Sequence, residues 1–347
     1  MTTNGNTAVI GGGIVGASIA WRLAQRGRGV VLFDKGRIGG EASWAGAGML
    51  ALGGEVYEAS TFSDLCIESR RLYPDFINQL TQESGESIDY QECGALDLAY
   101  SEQEWASLKR RAAAQADLGI RSRELSPDRV RTFSPYLRRE NLEGALFFSD
   151  DATVDPRDVM RALKIACLNR GVELRENTPV EQISVTGAEV IVNEIAFSNA
   201  VIAAGAWSGD ISVSGVPVLP ASEPVKGHLL GFDLQLGACP TILRHQQTYF
   251  LQRGTGMLIT GTSVERVGYN TAIDTQIVRT LHQQAMELLP VLDRMQPIEA
   301  WIGFRPYSAD LHLGPWYGSR LHLAYGHFRN GILLAPVTAN KIADAFH

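Results

Sequence analysis

The chain is poor in cysteine. Its 347 residues hold four, Cys66, Cys93, Cys167 and Cys239, too few for a disulfide scaffold. None forms a C-x-x-C pair, which argues against a structural zinc site, and no metal is expected. Long hydrophobic runs are also missing. The uncharged stretch Ile195 to Gly209 is broken by Ser198, Asn199, Gly205 and Ser208, short of the roughly 18 apolar residues of a membrane span. Positive charge is in deficit: 31 Lys+Arg against 38 Asp+Glu give a net charge of −7, so a general nucleic-acid binder is excluded. The start, Met1-Thr2-Thr3-Asn4-Gly5-Asn6, lacks the basic residues of a secretion signal, and a cytoplasmic protein is expected. One segment runs against the overall charge. From Lys109 to Arg139 there are nine Lys/Arg against three Asp/Glu, read as solvated helix faces or as a docking surface.

Glycine is abundant, with 35 residues, and its placement is informative. The run Thr7 to Ile10 has the β-branched character of a buried strand and leads directly into Gly11-Gly12-Gly13-Ile14-Val15-Gly16. Val15, Ile19 and Leu23 then share a helical face, and Val30 to Phe33 reads as a second buried strand ending at Asp34. This is a parallel βαβ unit carrying G-x-G-x-x-G in its proper context. Gly11 permits the tight turn, Gly13 admits a pyrophosphate to the backbone and Gly16 lets helix meet strand. The helix N-terminus, with Ile14 and Val15, offers N–H groups to phosphate. Asp34, 18 residues after Gly16, is placed for ribose hydroxyls. The motif alone does not choose between flavin and nicotinamide. Its N-terminal position favours FAD, whereas Lys35 leaves room for the 2′-phosphate of NADP.

Further along, Phe62, Leu65, Ser69, Leu72 and Phe76 predict a helix kinked or split at Pro74. Ser101 to Glu104 forms a capping box, and Asp155-Pro156 starts a helix that ends near Gly171. Thr248–Leu251 and Met257–Thr260 predict a hairpin. Ile277 to Leu292 predicts a helix interrupted at Pro290, and a short helix from Ala339 to Phe346 closes the chain. Length suggests two domains, interleaved rather than joined end to end.

The stretches Gly39 to Leu50, Ala203-Ala204-Gly205-Ala206-Trp207, Trp301 to Pro306 and Gly326 to Pro336 resemble the D-amino-acid oxidase superfamily of flavoproteins, and within it the glycine-oxidase branch. The resemblance spans essentially the whole chain. It implies an α/β fold: a Rossmann-like FAD-binding domain with a parallel sheet (1–88, 144–220 and 298–347), interleaved with a substrate domain on a mixed, largely antiparallel sheet (89–143 and 221–297). It implies that Ser43, Ala45, Gly48, Met49 and Leu50 lie along the flavin, that Val180 sits beside the adenine, and that Ala204, Gly205, Trp207 and His327 also border the cofactor. Backbone N–H groups from Asn330 through Gly331 and Ile332 to Leu333 would face the flavin's pyrimidine edge.

The implied activity is oxidative deamination of glycine, sarcosine or small D-amino acids by hydride transfer to flavin N5. Molecular oxygen takes the electrons, and the imine is available to thiazole synthesis for thiamine; the alternative is an FAD-dependent D-amino-acid, sarcosine or proline dehydrogenase that uses another acceptor. Arg305 would clamp the substrate carboxylate and border the flavin, Tyr249 would donate its hydroxyl to the same carboxylate, and Arg329 would support the charge from the other side. Without the resemblance, Arg305 reads as a salt-bridge partner, Tyr249 as a core aromatic and Arg329 as a brace for the flavin loop. His327 reads as a packing residue rather than a base, and His245 and Gln247 as residues bordering the pocket; the resemblance implies that bulk from Val264 and Trp44 limits the substrate to small amines. Two departures from the family stand out. Asp34 is one methylene shorter than the usual Glu, and no cysteine stands where sarcosine oxidases attach flavin, so the FAD is expected to be non-covalent. A homo-oligomer, a tetramer, is implied by the same resemblance.

Overall fold

The structure, a computed structural model, describes residues 6–346; the start of the chain, on which the secretion argument rests, lies outside the described residues. Thr7–Ile10 and Val30–Phe33 are buried at every position, as strands covered on both faces require, and they pair in parallel from Thr7↔Val30 to Ile10↔Phe33. The helix Ile14–Gln25 makes the crossover between them. Asn199–Ile202 flanks Thr7–Ile10 on its other side, also in parallel. The six-stranded sheet runs Glu173–Arg175, Val30–Phe33, Thr7–Ile10, Asn199–Ile202, Leu321–Tyr325, His312–Pro315, and only the last pairing is antiparallel. Strand order therefore reverses at Thr7–Ile10, which opens a crevice at the carboxyl ends of the strands, where open α/β sheets bind ligands. The seating of the first helix depends on Gly16: a Cβ there would come within 1.9 Å of the Gly11 carbonyl oxygen.

A second sheet has eight strands and is antiparallel except where Ile242–His245 pairs with Ala95–Ala99. Its spine is the long strand Glu223–Asp233, held between Glu299–Tyr307 and Met257–Gly261. The expected hairpin is present as Thr248–Gln252 and Met257–Gly261. Two strands assigned from sequence to the dinucleotide-binding part lie in this sheet instead. Gly144–Phe148 pairs with all of Ala95–Ala99, and Glu299–Tyr307 pairs with Glu223 through Gly231. Both carry apolar residues suited to either sheet, and long-range pairing decides their place.

The helix Thr61–Ser84 is continuous through Pro74, so it is not split there. Pro74 removes one N–H, but Leu65, Tyr73, Phe76, Ile77 and Leu80 are buried along one face, and tertiary packing outweighs the local penalty. Ser101 accepts the Glu104 N–H at 3.2 Å, while the Glu104 carboxylate accepts from Tyr100, one residue before the cap. Asp155 caps Pro156–Asn169. Thr275–Leu288 is helical and gives way to a 3-10 turn at Pro290–Arg294. The C-terminal helix, Gly331–Asp344, starts well before the expected Ala339 and contains Pro336. Hydroxyl groups from Thr61–Ser84 make that possible, as described below. Among the described residues no helix is long and apolar enough to cross a membrane.

Candidate active site

A cavity of about 430 Å³ runs from the crevice of the parallel sheet to the edge of the antiparallel sheet. Gly11, Gly13, Ile14, Val15, Asp34, Lys35 and Val180 line it at the dinucleotide end. Ser43, Ala45, Gly48, Met49, Ala204, Gly205 and Trp207 line its middle, and the far end is formed by Tyr249, Arg305, His327, Arg329, Asn330, Gly331 and Ile332. Three expected cofactor residues lie off the wall. Gly16 is occupied by the helix–turn contact, while Leu50 and Leu333 point into the hydrophobic core at 0% and 1% exposure.

At the dinucleotide end, both Asp34 oxygens already accept backbone hydrogen bonds, from Gly12 at 2.7 Å and from Gly36 at 2.8 Å. Each oxygen retains a further lone pair, so these bonds orient the carboxylate without exhausting it. Burial pushes its pKa up, and the N–H groups of Gly36 and Gly12 oppose that shift. Ser43 Oγ accepts the Ile14 N–H at 2.8 Å and so takes up one donor of the first helix's N-terminus; in a helix the next N–H groups have no intrahelical acceptor. The Lys35 ammonium lies 3.3 Å from the centre of the Trp207 ring, and Trp207 stacks on Tyr269 at 4.9 Å. At the other end, the N–H groups of Gly331, Ile332 and Leu333 open the C-terminal helix, whose first intrahelical bond is Leu334 N–H to the Asn330 carbonyl. Free helix N-termini at both ends of one cavity, with an oriented carboxylate at the carboxyl end of Val30–Phe33, fit an FAD molecule.

At the far end, Arg305 stands on Glu299–Tyr307 with no carboxylate within ion-pair distance among the described residues. Its Nη1 donates to the carbonyl of Ser263 at 3.1 Å and weakly to that of Lys226, and its Nη2 donates to Thr262 Oγ1 at 2.6 Å. A guanidinium has five donors, so two remain for a ligand. Burial lowers its pKa, and Tyr249 opposes that shift. Tyr249, 8% exposed, shares the cavity, and its hydroxyl has no hydrogen-bond partner among the described residues. Burial raises the phenol's pKa, and the charge of Arg305 draws it back, so it remains a donor.

Arg329 differs from Arg305. Its Nη2 donates to Glu55 at 2.8 Å, Asn330 donates to the same carboxylate at 3.2 Å, and the Arg329 side chain is 45% exposed. His327 is 3% exposed, with Nε2 3.0 Å from Thr338 Oγ1; burial draws its pKa down to about 4, leaving a neutral packing residue. Of the residues read as limiting substrate size, Trp44 does not line the cavity. It lies under the Arg157 guanidinium at 3.8 Å and is 38% exposed. Val264, 62% exposed, reaches only an outer chamber that opens beyond Arg305 and Tyr249. His245 and Gln247 border the same chamber, and His245 lies 3.2 Å from Glu104.

Several residues that build this end escaped sequence reasoning. Thr262 and Ser263 anchor Arg305. Gly227 and Gly303 face each other in register across the two longest strands of the sheet, where a Cβ on Gly303 would meet the Ala45 methyl at 2.6 Å. Glycine inside a strand is the available signal, since it marks a close approach.

Comparison with known proteins agrees with this geometry. Residues 6–345 match the family described as DAO, FAD dependent oxidoreductase. The chain is 32% identical to the glycine oxidase of Bacillus subtilis (strain 168), over 97% of this chain and 91% of that protein. It is 31% identical to the bifunctional protein ThiO/ThiG of Synechocystis sp., over 99% of this chain and 52% of that protein. Among solved structures, glycine oxidase from Geobacillus kaustophilus matches with a TM-score of 0.92 at 29% identity, covering 99% of this chain and 95% of that one. With a glycine-rich βαβ unit at one end of its cavity and an unpaired arginine at the other, the chain belongs to the DAO family of FAD-dependent oxidoreductases.

Proposed function

We propose that this protein oxidises glycine and other small amino acids, sarcosine and small D-amino acids among them. Glycine, oxygen and water go to glyoxylate, ammonia and hydrogen peroxide. The observation that carries this reading is Arg305, a buried guanidinium with two unused donors and, among the described residues, no carboxylate partner, in the same cavity as the FAD cradle. A planar guanidinium meets a carboxylate through two parallel bonds, and the free Tyr249 hydroxyl adds a third donor to the same group. FAD, when bound, supplies the two-electron acceptor for the hydride that leaves the α-carbon. The chain's own contribution is positioning: Arg305 and Tyr249 fix the carboxylate, and the walls keep the α-carbon near the ring. No side chain is assigned as a base, and His327, tied to Thr338, is free of that role.

Release of the imine into thiazole synthesis for thiamine is supported by the likeness to proteins named ThiO/ThiG. A cytoplasmic tetramer completes the reading; light scattering and cell fractionation test those two points. The central test is the visible spectrum of the purified holoprotein without oxygen, before and after glycine. Bleaching of the flavin band supports amine oxidation, and its return in air supports oxygen as acceptor. A band that persists with glycine but bleaches with another amine removes glycine. A band that stays bleached in air moves the electrons to another acceptor.

A further inference from the structure

Pro336 lies inside the C-terminal helix, one and a half turns from its start at Gly331. Proline has no N–H, so the carbonyl of Ile332, four residues earlier, loses its intrahelical donor. Ile332 is 9% exposed, and a buried carbonyl without a donor is costly. The helix Thr61–Ser84 supplies the missing donor. The Tyr73 hydroxyl donates to the Ile332 carbonyl at 2.6 Å. One turn earlier on the same face, Ser69 Oγ donates to the Leu333 carbonyl at 2.6 Å and accepts the Val337 N–H at 3.3 Å. Both side chains are 0% exposed, and burial raises the Tyr73 phenol's pKa, which keeps it a donor. Two hydroxyls spaced i, i+4 thus join the two halves of a helix that proline divides.

The half they hold is the half that faces the cavity. Gly331 and Ile332 line it, and the first three N–H groups of the helix carry the partial positive charge of its N-terminus. We infer that Tyr73 and Ser69 are positioning residues for the cofactor: Tyr73 satisfies the one carbonyl that Pro336 leaves open, Ser69 bridges the Leu333 carbonyl to the Val337 N–H, and together they fix the direction in which the first turn presents its N–H groups to FAD. The inference rests on FAD binding and not on the identity of the amine, so it stands or falls separately from glycine oxidation.

A fixed positive N-terminus favours negative charge on the reduced ring. Loosening it makes reduction harder. The test is the reduction potential of FAD bound to the full-length protein, titrated against a reference dye with no amine present. Tyr73→Phe is expected to shift the two-electron equilibrium about tenfold towards the oxidised form, which is about 30 mV more negative. Ser69→Ala is expected to move it in the same direction. Pro336→Ala supplies an N–H for the Ile332 carbonyl, so adding it to Tyr73→Phe should restore the potential. Tyr100→Phe is the control: Tyr100 also donates its hydroxyl to a backbone carbonyl, that of Arg138 at 3.1 Å, but lies away from the cavity, and its potential should not move. If Tyr73→Phe fails to fold, Ser69→Ala alone decides. A potential unchanged in the hydroxyl-deleted variants that fold, or a shift in Tyr73→Phe that Pro336→Ala leaves in place, overturns the inference.

Discussion

The guanidinium of Arg305 lies directly over the backbone of Gly227: a Cβ built on Gly227 would sit 2.2 Å from Nη2 and 2.4 Å from Nη1. The two residues are on adjacent strands, Gly227 opposite Gly303 and Arg305 opposite Val225. The arginine therefore reaches back along its neighbour and fills the space that a side chain would take. Gly227→Ala should push the guanidinium off its anchors on Thr262 and Ser263. Hydrogen bonds to a charged group are worth about 1.5–3 kcal/mol, so KM for the amino acid should rise about 10- to 100-fold while bound FAD per chain stays the same. Steady-state kinetics beside the flavin spectrum check this, and an unchanged KM would detach Gly227 from the clamp.

Arg305 and Arg329 carry the same charge in the same cavity but stand in different electrostatic positions, and their variants should separate. Removing one partner of a buried charge pair costs about 2–5 kcal/mol, so Arg305→Ala should raise KM by two orders of magnitude or more. Arg305→Lys should recover only part of the loss, because an ammonium lacks the planar fork. Arg329 is half exposed and already satisfied by Glu55. Its substitution by alanine should change KM by about tenfold or less, in keeping with a screened pair. Equal effects from Arg305→Ala and Arg329→Ala would contradict this ranking.

The parts of this molecule legible in the sequence are those whose physics is local. Gly11 to Gly16 must turn and approach a ligand, Asp34 ends a buried strand, and Asp155 caps a helix; each is visible in a few adjacent residues. Gly331 and Ile332, which line the cavity, are reached through resemblance, while the helix they begin is not legible, because Pro336 reads locally as a break. The donor that offsets that proline, the Tyr73 hydroxyl, comes from more than 250 residues away, with Ser69 bridging the next pair beside it. The same holds for Gly144–Phe148 and Glu299–Tyr307, whose sheet is chosen by distant partners, and for Trp44, whose bulk is turned onto Arg157 rather than into the cavity.

Asp34 offers a direct test of the dinucleotide end. Its carboxylate organises the turn through Gly12 and Gly36 and keeps lone pairs for ribose hydroxyls, so Asp34→Ala removes both functions. Two N–H groups in a partly buried turn lose their acceptor, at about 1–3 kcal/mol for each group that stays dry, and the cofactor loses charge-assisted bonds of similar size. The dissociation constant for FAD, measured by flavin fluorescence, should rise at least tenfold. Asp34→Asn keeps one oxygen acceptor and should fall between the two. An FAD affinity unchanged in Asp34→Ala would place the ribose elsewhere.

Glu83 gives the clearest dependence of stability on pH. Near the end of Thr61–Ser84, its carboxylate accepts from Arg170 at 2.6 and 2.8 Å, from the Trp21 indole at 2.7 Å and from Gln25 at 2.8 Å. It joins three helices at one point. The Arg170 guanidinium, with help from Trp21 and Gln25, holds its pKa down at about 2, against 4.5 for an unperturbed glutamate. A carboxyl whose pKa is depressed by folding stabilises the folded state fully above the unfolded pKa, and loses that contribution as pH falls through the folded one. Glu83→Gln should therefore lower Tm by roughly 1–3 °C at pH 7. The gap between variant and parent should hold down to about pH 5 and close progressively towards pH 2. A gap independent of pH across that window would mean that the interaction is one of shape and neutral hydrogen bonding, with the charge of Glu83 contributing nothing.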